Sequence, residues 1–188
     1  MKYFPSFILL TLTLLLACTN KPYDKNITFK FIQVNDVYEI APLSGGKYGG
    51  MARVAHVRDS IKKANPNTYL FMAGDFLNPS LMGTIKVDGN RINGKQMIEV
   101  MNAMDFDLVT FGNHEFDLKE KDLQSRLNES TFPWMSSNAL HVINEGEIVP
   151  FVVQKKNDTV SVADTKILTI KNDSGNEVEI GFLGVTIP

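Results

Sequence analysis

Six consecutive residues, Gly112-Asn113-His114-Glu115-Phe116-Asp117, bring an amide, an imidazole and two carboxylates into one stretch of chain. An amide oxygen is a hard donor suited to a divalent cation. An imidazole near a carboxylate can be held in one orientation and tautomer, ready to act on a charged substrate. The stretch follows an apolar run, Phe106 to Phe111, which reads as a strand. The same polar residues also suit a helix start, where they satisfy free backbone groups. Two upstream strand ends, Asn35-Asp36 and Gly74-Asp75, favour the chemical reading because they repeat the layout.

Those strand ends are distant in sequence, so the elements between them decide whether they meet. Ile27 to Val34 is β-rich and ends in Asn35-Asp36, while Tyr69 to Ala73 is a short buried strand ending in Gly74-Asp75. Gly49-Gly50 opens a helix with apolar residues at Met51, Val54, Ala55, Val57 and Ile61, closing near Asn65-Pro66. A second helix runs from about Gly94 to Met104, with Met97, Ile98, Met101 and Met104 on its inner face. The three strands lie roughly forty residues apart, enough for helical crossovers that make neighbouring strands parallel. Parallel strands align their C-terminal ends along one edge, where open α/β sheets bind ligands. Asp36, Asp75 and Asn113 are therefore expected to converge with His114 beside them. Three hard oxygen donors in that arrangement suit two divalent cations sharing a carboxylate. A dinucleotide fold would want a Gly-rich turn after the first strand, and Asn-Asp-Val-Tyr-Glu is no such turn.

Further along, Lys119 to Leu127 reads as a helix and Trp134 to Ser137 as a short strand. Ile148 to Val153, Thr159 to Val162, Lys166 to Ile170 and Glu177 to Val185 then look like antiparallel strands. Asn157-Asp158 and Asn172-Asp173-Ser174-Gly175 supply the turns between them. The class is α/β. With 188 residues, 44% hydrophobic and 21% charged, the chain can bury a sizeable core. A net charge of −2 lacks the basic excess of a nucleic-acid surface, so no nucleic-acid polymer is expected as partner.

The N-terminus reads as a targeting segment. Phe7 to Leu16 is almost unbroken apolar sequence, short for a membrane span but suited to a secretory signal. Leu15-Leu16-Ala17-Cys18 resembles the bacterial lipoprotein cleavage motif, in which the cysteine becomes the lipidated first residue. Residues 1–18 are then the signal with lipidated Cys18, and 19–26 a polar tether to a lipid anchor in the cell envelope. Cys18 is the only cysteine, so no intramolecular disulfide can form and a thiolate metal cluster is excluded.

Taken together, Val34-Asn35-Asp36, Gly49-Gly50-Met51-Ala52-Arg53, Gly74-Asp75 and Gly112-Asn113-His114-Glu115-Phe116-Asp117 resemble the ordered motifs of calcineurin-like metallophosphoesterases. More narrowly, they resemble the secreted 5′-nucleotidase and UDP-sugar hydrolase branch. The resemblance implies a four-layer α/β/β/α sandwich, of which residues 27–188 would be the incomplete N-terminal part. It implies two divalent metal ions, drawn from Zn, Mn, Mg, Ca or Co, and hydrolysis of a nucleotide or other small phosphoester. By the same resemblance Asp36 binds the first metal, Asp75 bridges the two and Asn113 binds the second. His114, oriented by Asp117, stabilises charge developing on the phosphoryl group or the leaving oxygen.

The sequence departs from that pattern in two places. Tyr38 stands where the family has a histidine, and a phenol with a pKa of about 10 is a poor cation ligand. Glu39 either compensates or is a solvated strand-end charge. The family also draws histidines from later loops, whereas His56 here reads as a helix-surface residue and His141 as a loop residue. Gly49-Gly50 suits either a phosphate or a tight turn, and Arg53 either an anion or a salt bridge. The alternatives to a nucleotidase are a catalytically lapsed surface lipoprotein serving as a binding module, or a relative hydrolysing another phosphate or sulfur ester.

Overall fold

The structure is a computed structural model that describes residues 25–187. The signal segment, Cys18 and most of the tether lie outside the described residues. In chain order the elements begin with β1 (Lys30–Val34), α1 (Met51–Ala64), β2 (Thr68–Ala73), β3 (Lys86–Val87) and β4 (Asn90–Arg91). Next come α2 (Lys95–Ala103), β5 (Leu108–Thr110), α3 (Glu120–Glu129), β6 (Trp134–Met135), β7 (His141–Ile143) and β8 (Glu147–Val149). The last are β9 (Val152–Lys155), β10 (Asp158–Ser161), β11 (Thr165–Lys171) and β12 (Glu177–Leu183).

Four strands form the central sheet in the order β1-β2-β5-β6. All three pairings are parallel, with Val34 opposite Met72 and Ala73 opposite Thr110. The crossovers through α1 and α2 make this possible, as the strand spacing predicts. Every C-terminal strand end therefore lies on one edge. The helices bury their apolar stripes against the sheet, bringing Met51, Met97, Met101 and Leu127 into one core with Leu70, Met72 and Val109. Trp134 stacks on Phe111 at 4.9 Å within that core. On the β12 side, Phe182 packs edge-on against Phe71 at 5.1 Å and Phe31 at 5.5 Å. The antiparallel hairpin β11–β12 is thereby laid against the sheet, giving the α/β/β part of the implied sandwich.

Three local readings need correction. Ile148 to Val153 is not one strand: β8 ends at Val149 and β9 starts at Val152, with Pro150 between them. Proline has no N–H for a ladder, so the chain changes partner there, β8 pairing with β7 and β9 with β10. His141 is not a loop residue but opens β7, its ring stacked on Phe151 at 5.0 Å. Finally, the chain between β2 and α2 contains an unforeseen hairpin, β3–β4. Its tip, Asp88-Gly89, has positive φ at both residues (51° and 82°), the geometry that suits a tight two-residue hairpin turn.

Candidate active site

The three strand ends are joined directly by hydrogen bonds that backbone N–H groups donate. Asp36 N–H donates to the Gly74 carbonyl at 3.2 Å, linking the end of β1 to that of β2. His114 N–H donates to Asp75 Oδ1 at 2.8 Å, linking the end of β2 to that of β5. So close an approach excludes side chains at the crossing. A Cβ on Gly74 would overlap Gly112 N, and a Cβ on Gly112 would overlap Asp75 Oδ1. Asp36 and Asp75 both adopt left-handed backbone, with φ of 54° and 58°. That conformation costs a non-glycine residue energy, and such positions concentrate at functional sites.

Glu115 fastens the arrangement from beneath. It is fully buried, and one oxygen, Oε2, accepts from Gly112 N–H at 2.7 Å and Asp75 N–H at 2.8 Å. The other, Oε1, accepts from Phe76 N–H at 2.8 Å and Leu77 N–H at 3.1 Å. Burial pushes the carboxyl up from its ordinary value, while the four N–H donors pull the other way. Sequence reasoning assigned Glu115 no role. Its partners are backbone groups, which leave no signature in residue type.

Above that clamp stands His114. Its Nδ1 lies 2.7 Å from Asp117 Oδ2, and Asn78 Nδ2 donates to the same carboxylate oxygen at 3.2 Å. The Asp117 hydrogen bond raises the imidazole pKa, and the same bond lowers that of Asp117. The remaining ring nitrogen is Nε2. Asn78 is a second residue that sequence reasoning missed, because it lies in the loop after β2, far from the motif.

Tyr38 is engaged with the first aspartate and with His114. Its hydroxyl donates to Asp36 Oδ1 at 3.0 Å, and its ring meets His114 edge-on at 6.1 Å. Loss of solvent, followed by the bond to Asp36, pushes the phenol up to about 12, so it stays protonated. Asn35 Nδ2 donates to Asp36 Oδ2 at 2.6 Å, and this bond, ahead of that from Tyr38, lowers the Asp36 pKa. Glu39 Oε1 accepts from Leu81 N–H at 3.2 Å and braces the loop after β2. Arg53 forms no salt bridge among the described residues. Its guanidinium bonds the Gly46 and Gly49 carbonyls and stabilises the glycine turn before α1. His56 is exposed on α1, and His141 Nε2 lies 3.0 Å from Glu120.

The donor set fits a hard divalent ion. Asp36, Asp75 and Asn113 contribute two carboxylates and an amide at adjoining strand ends, and the strained aspartates are held there by backbone bonds. Among the described residues no group of three or more His, Cys, Asp or Glu is arranged to hold an ion.

Comparison with known proteins identifies the family to which this fold belongs. Residues 29–179 match the calcineurin-like phosphoesterase family, and the chain belongs to it. It is 29% identical over 147 residues to the trifunctional nucleotide phosphoesterase protein YfkN of Bacillus subtilis, covering 74% of this chain and 9% of that protein. It is 34% identical over 91 residues to human 5′-nucleotidase, covering 48% of this chain and 15% of that one. The crystal structure of the calcineurin-like phosphoesterase YfkN from Bacillus subtilis superposes with a TM-score of 0.60 at 25% identity, covering 84% of this chain and 48% of that one. The chain thus spans a small part of these curated relatives and about half of the crystallised one.

Proposed function

We propose that the chain is the N-terminal part of the catalytic domain of a metal-dependent phosphoester hydrolase acting on nucleotides. The observation that carries this is the meeting of Asp36, Asp75, Asn113 and His114 at adjoining strand ends, fixed by backbone hydrogen bonds. Asp36, Asp75 and Asn113 would hold divalent ions, which in this class activate a water and neutralise phosphoryl charge. His114 has Nδ1 committed to Asp117, which leaves Nε2 to face the phosphoryl group or the leaving oxygen. Asn78 and Asp117 keep the ring from rotating away.

A second reading is favoured by Tyr38, whose hydroxyl already satisfies Asp36 Oδ1. In it the fold persists as a binding module on the cell surface without turnover. Loading the full-length protein that carries this chain with manganese and measuring phosphate release from nucleoside monophosphates separates the two. Release that disappears with chelator supports the hydrolase; metal binding without release supports the module. Either protein would be anchored to the bacterial envelope through Cys18. Metabolic fatty-acid labelling of wild type but not Cys18→Ser tests that part.

A further inference from the structure

We propose that the cleft beside the catalytic loop is a second anion subsite, formed by Lys86, Arg91 and Lys119, which holds a further phosphate of the substrate. The proposal rests on the phosphoester-hydrolase reading and names the class of substrate: one that carries a second phosphate. A cavity of about 470 Å³ is lined by residues of the β3–β4 hairpin and of the chain leading into α3. Asn78 and Asp117, the pair that fixes His114, form part of its wall, so the cavity adjoins the candidate active site.

Charge is the argument. Lys86 and Arg91 come from the hairpin and Lys119 from the residue before α3, and all three are exposed. Two carboxylates also line the cavity, and both are engaged. Asp117 accepts from Asn78 and pairs with His114, while Asp122 accepts from Asn93 Nδ2 at 2.9 Å. The three cations have no ion pair among the described residues.

Moreover, Lys86 and Arg91 are direct cross-strand partners in a hairpin of two residues per strand. Like charges opposite one another destabilise an antiparallel pair. A bound anion removes that repulsion. Arginine and lysine are also the side chains that recognise phosphate, the one as a planar fork and the other as a point charge.

The hairpin that carries them is fixed in place. Arg126, itself buried on α3, donates to the Asn93 carbonyl at 3.1 Å and also to that of Ile92. Ile92 N–H bonds the Ile85 carbonyl and Asn93 N–H bonds the Gly83 carbonyl, each at 3.1 Å. The wall of the cavity is therefore built before any ligand arrives, which lowers the cost of binding.

Inorganic pyrophosphate on the metal-stripped full chain tests the subsite apart from catalysis. The titration is followed by amide NMR at about 0.15 M salt, where the Debye length of about 8 Å suppresses diffuse attraction. The expected result is shifts confined to the neighbourhoods of Lys86 to Asn93 and of Lys119. The Lys86→Ala/Arg91→Ala/Lys119→Ala variant should then bind at least about tenfold more weakly, as loss of charge-assisted contacts requires. Lys62→Ala/Lys63→Ala, at the far end of α1, should bind like wild type. These side chains are exposed, so an unchanged spectrum elsewhere reports an intact fold. Wild-type affinity in the triple variant, or shifts spread over all surface lysines, overturns the subsite. Hydrolysis of p-nitrophenyl phosphate by the manganese-loaded full-length protein that carries this chain tests the underlying reading separately. Specific pyrophosphate binding without any hydrolysis would refute that reading and the substrate role with it. Hydrolysis without specific binding would refute the subsite alone.

Discussion

Glu115 and Asp75 are joined by a hydrogen bond from the Asp75 backbone to a carboxylate with no exposure to solvent, at 2.8 Å. The same oxygen takes the N–H of Gly112, so a single atom ties the end of β2 to the end of β5. The position of Asp75 thus depends on a fully buried residue beneath it.

Glu115→Gln should accordingly destabilise the fold. The amide retains one acceptor oxygen but turns an NH₂ group towards backbone donors, leaving buried N–H groups unpaired. Each such loss costs about 1–3 kcal/mol, more where the acceptor was charged. For a chain of this size that corresponds to a melting temperature several degrees lower. Denaturant unfolding of the two proteins measures it, and a difference below about 0.5 kcal/mol, the scale of an ordinary surface substitution, would contradict the clamp.

Gly112→Ala addresses the crossing itself. The new methyl group would overlap Asp75 Oδ1, so the carboxylate must move if the fold survives. Displacing a ligand's support typically costs about 10–100-fold in metal affinity. Calorimetric titration with manganese should detect that loss, while circular dichroism checks that the sheet remains. Unchanged affinity would mean that Asp75 is not positioned by this contact.

Much of this was legible from residue order, and the reason is topological. Asp36, Asp75 and Asn113 each follow an apolar run with room for a crossover before the next, so parallel pairing brings them to one edge. Glu115 was not legible because its task is to accept from main-chain N–H groups, and any sequence supplies those. The β3–β4 hairpin escaped for a different reason. Its strands have only two residues each, too few to show alternation, although Asp88-Gly89 marked the turn. His141 could not be placed on β7 because its stacking partner, Phe151, comes from beyond the next strand.

The His114–Asp117 pair sets a pH window. Asp117, first through its hydrogen bond, raises the His114 pKa above about 6.5. The stabilisation from the imidazolium is therefore complete below the unfolded value and is lost as pH rises through the folded one. Asp117 behaves in the opposite sense. Its pKa is lowered, so its contribution is present above about 3.9 and disappears as pH falls through the folded value. Between those limits the pair is intact. NMR titration of the metal-free chain should give a His114 pKa above 6.5 that falls back towards it in Asp117→Asn; equal values in the two proteins would remove the coupling.

Catalysis gives the sharpest test of the assigned roles. His114 directly follows Asn113, and its ring is held by Asp117 while its N–H braces Asp75. Replacing it by alanine deletes the imidazole but keeps that backbone bond, so the metal-binding edge should survive. Turnover by the metal-loaded full-length enzyme should then fall by about 10²–10⁴-fold, the scale of a positioned proton donor or acceptor. Metal content should change little. Asp75→Asn should behave differently, losing metal and activity together, because a carboxylate between two cations supplies charge that an amide cannot. Measuring phosphate release and bound metal in parallel on both variants separates the two roles. A His114→Ala enzyme working at near wild-type rate would leave the loop with a structural task only, and the hydrogen bond to Asp117 would then need another explanation.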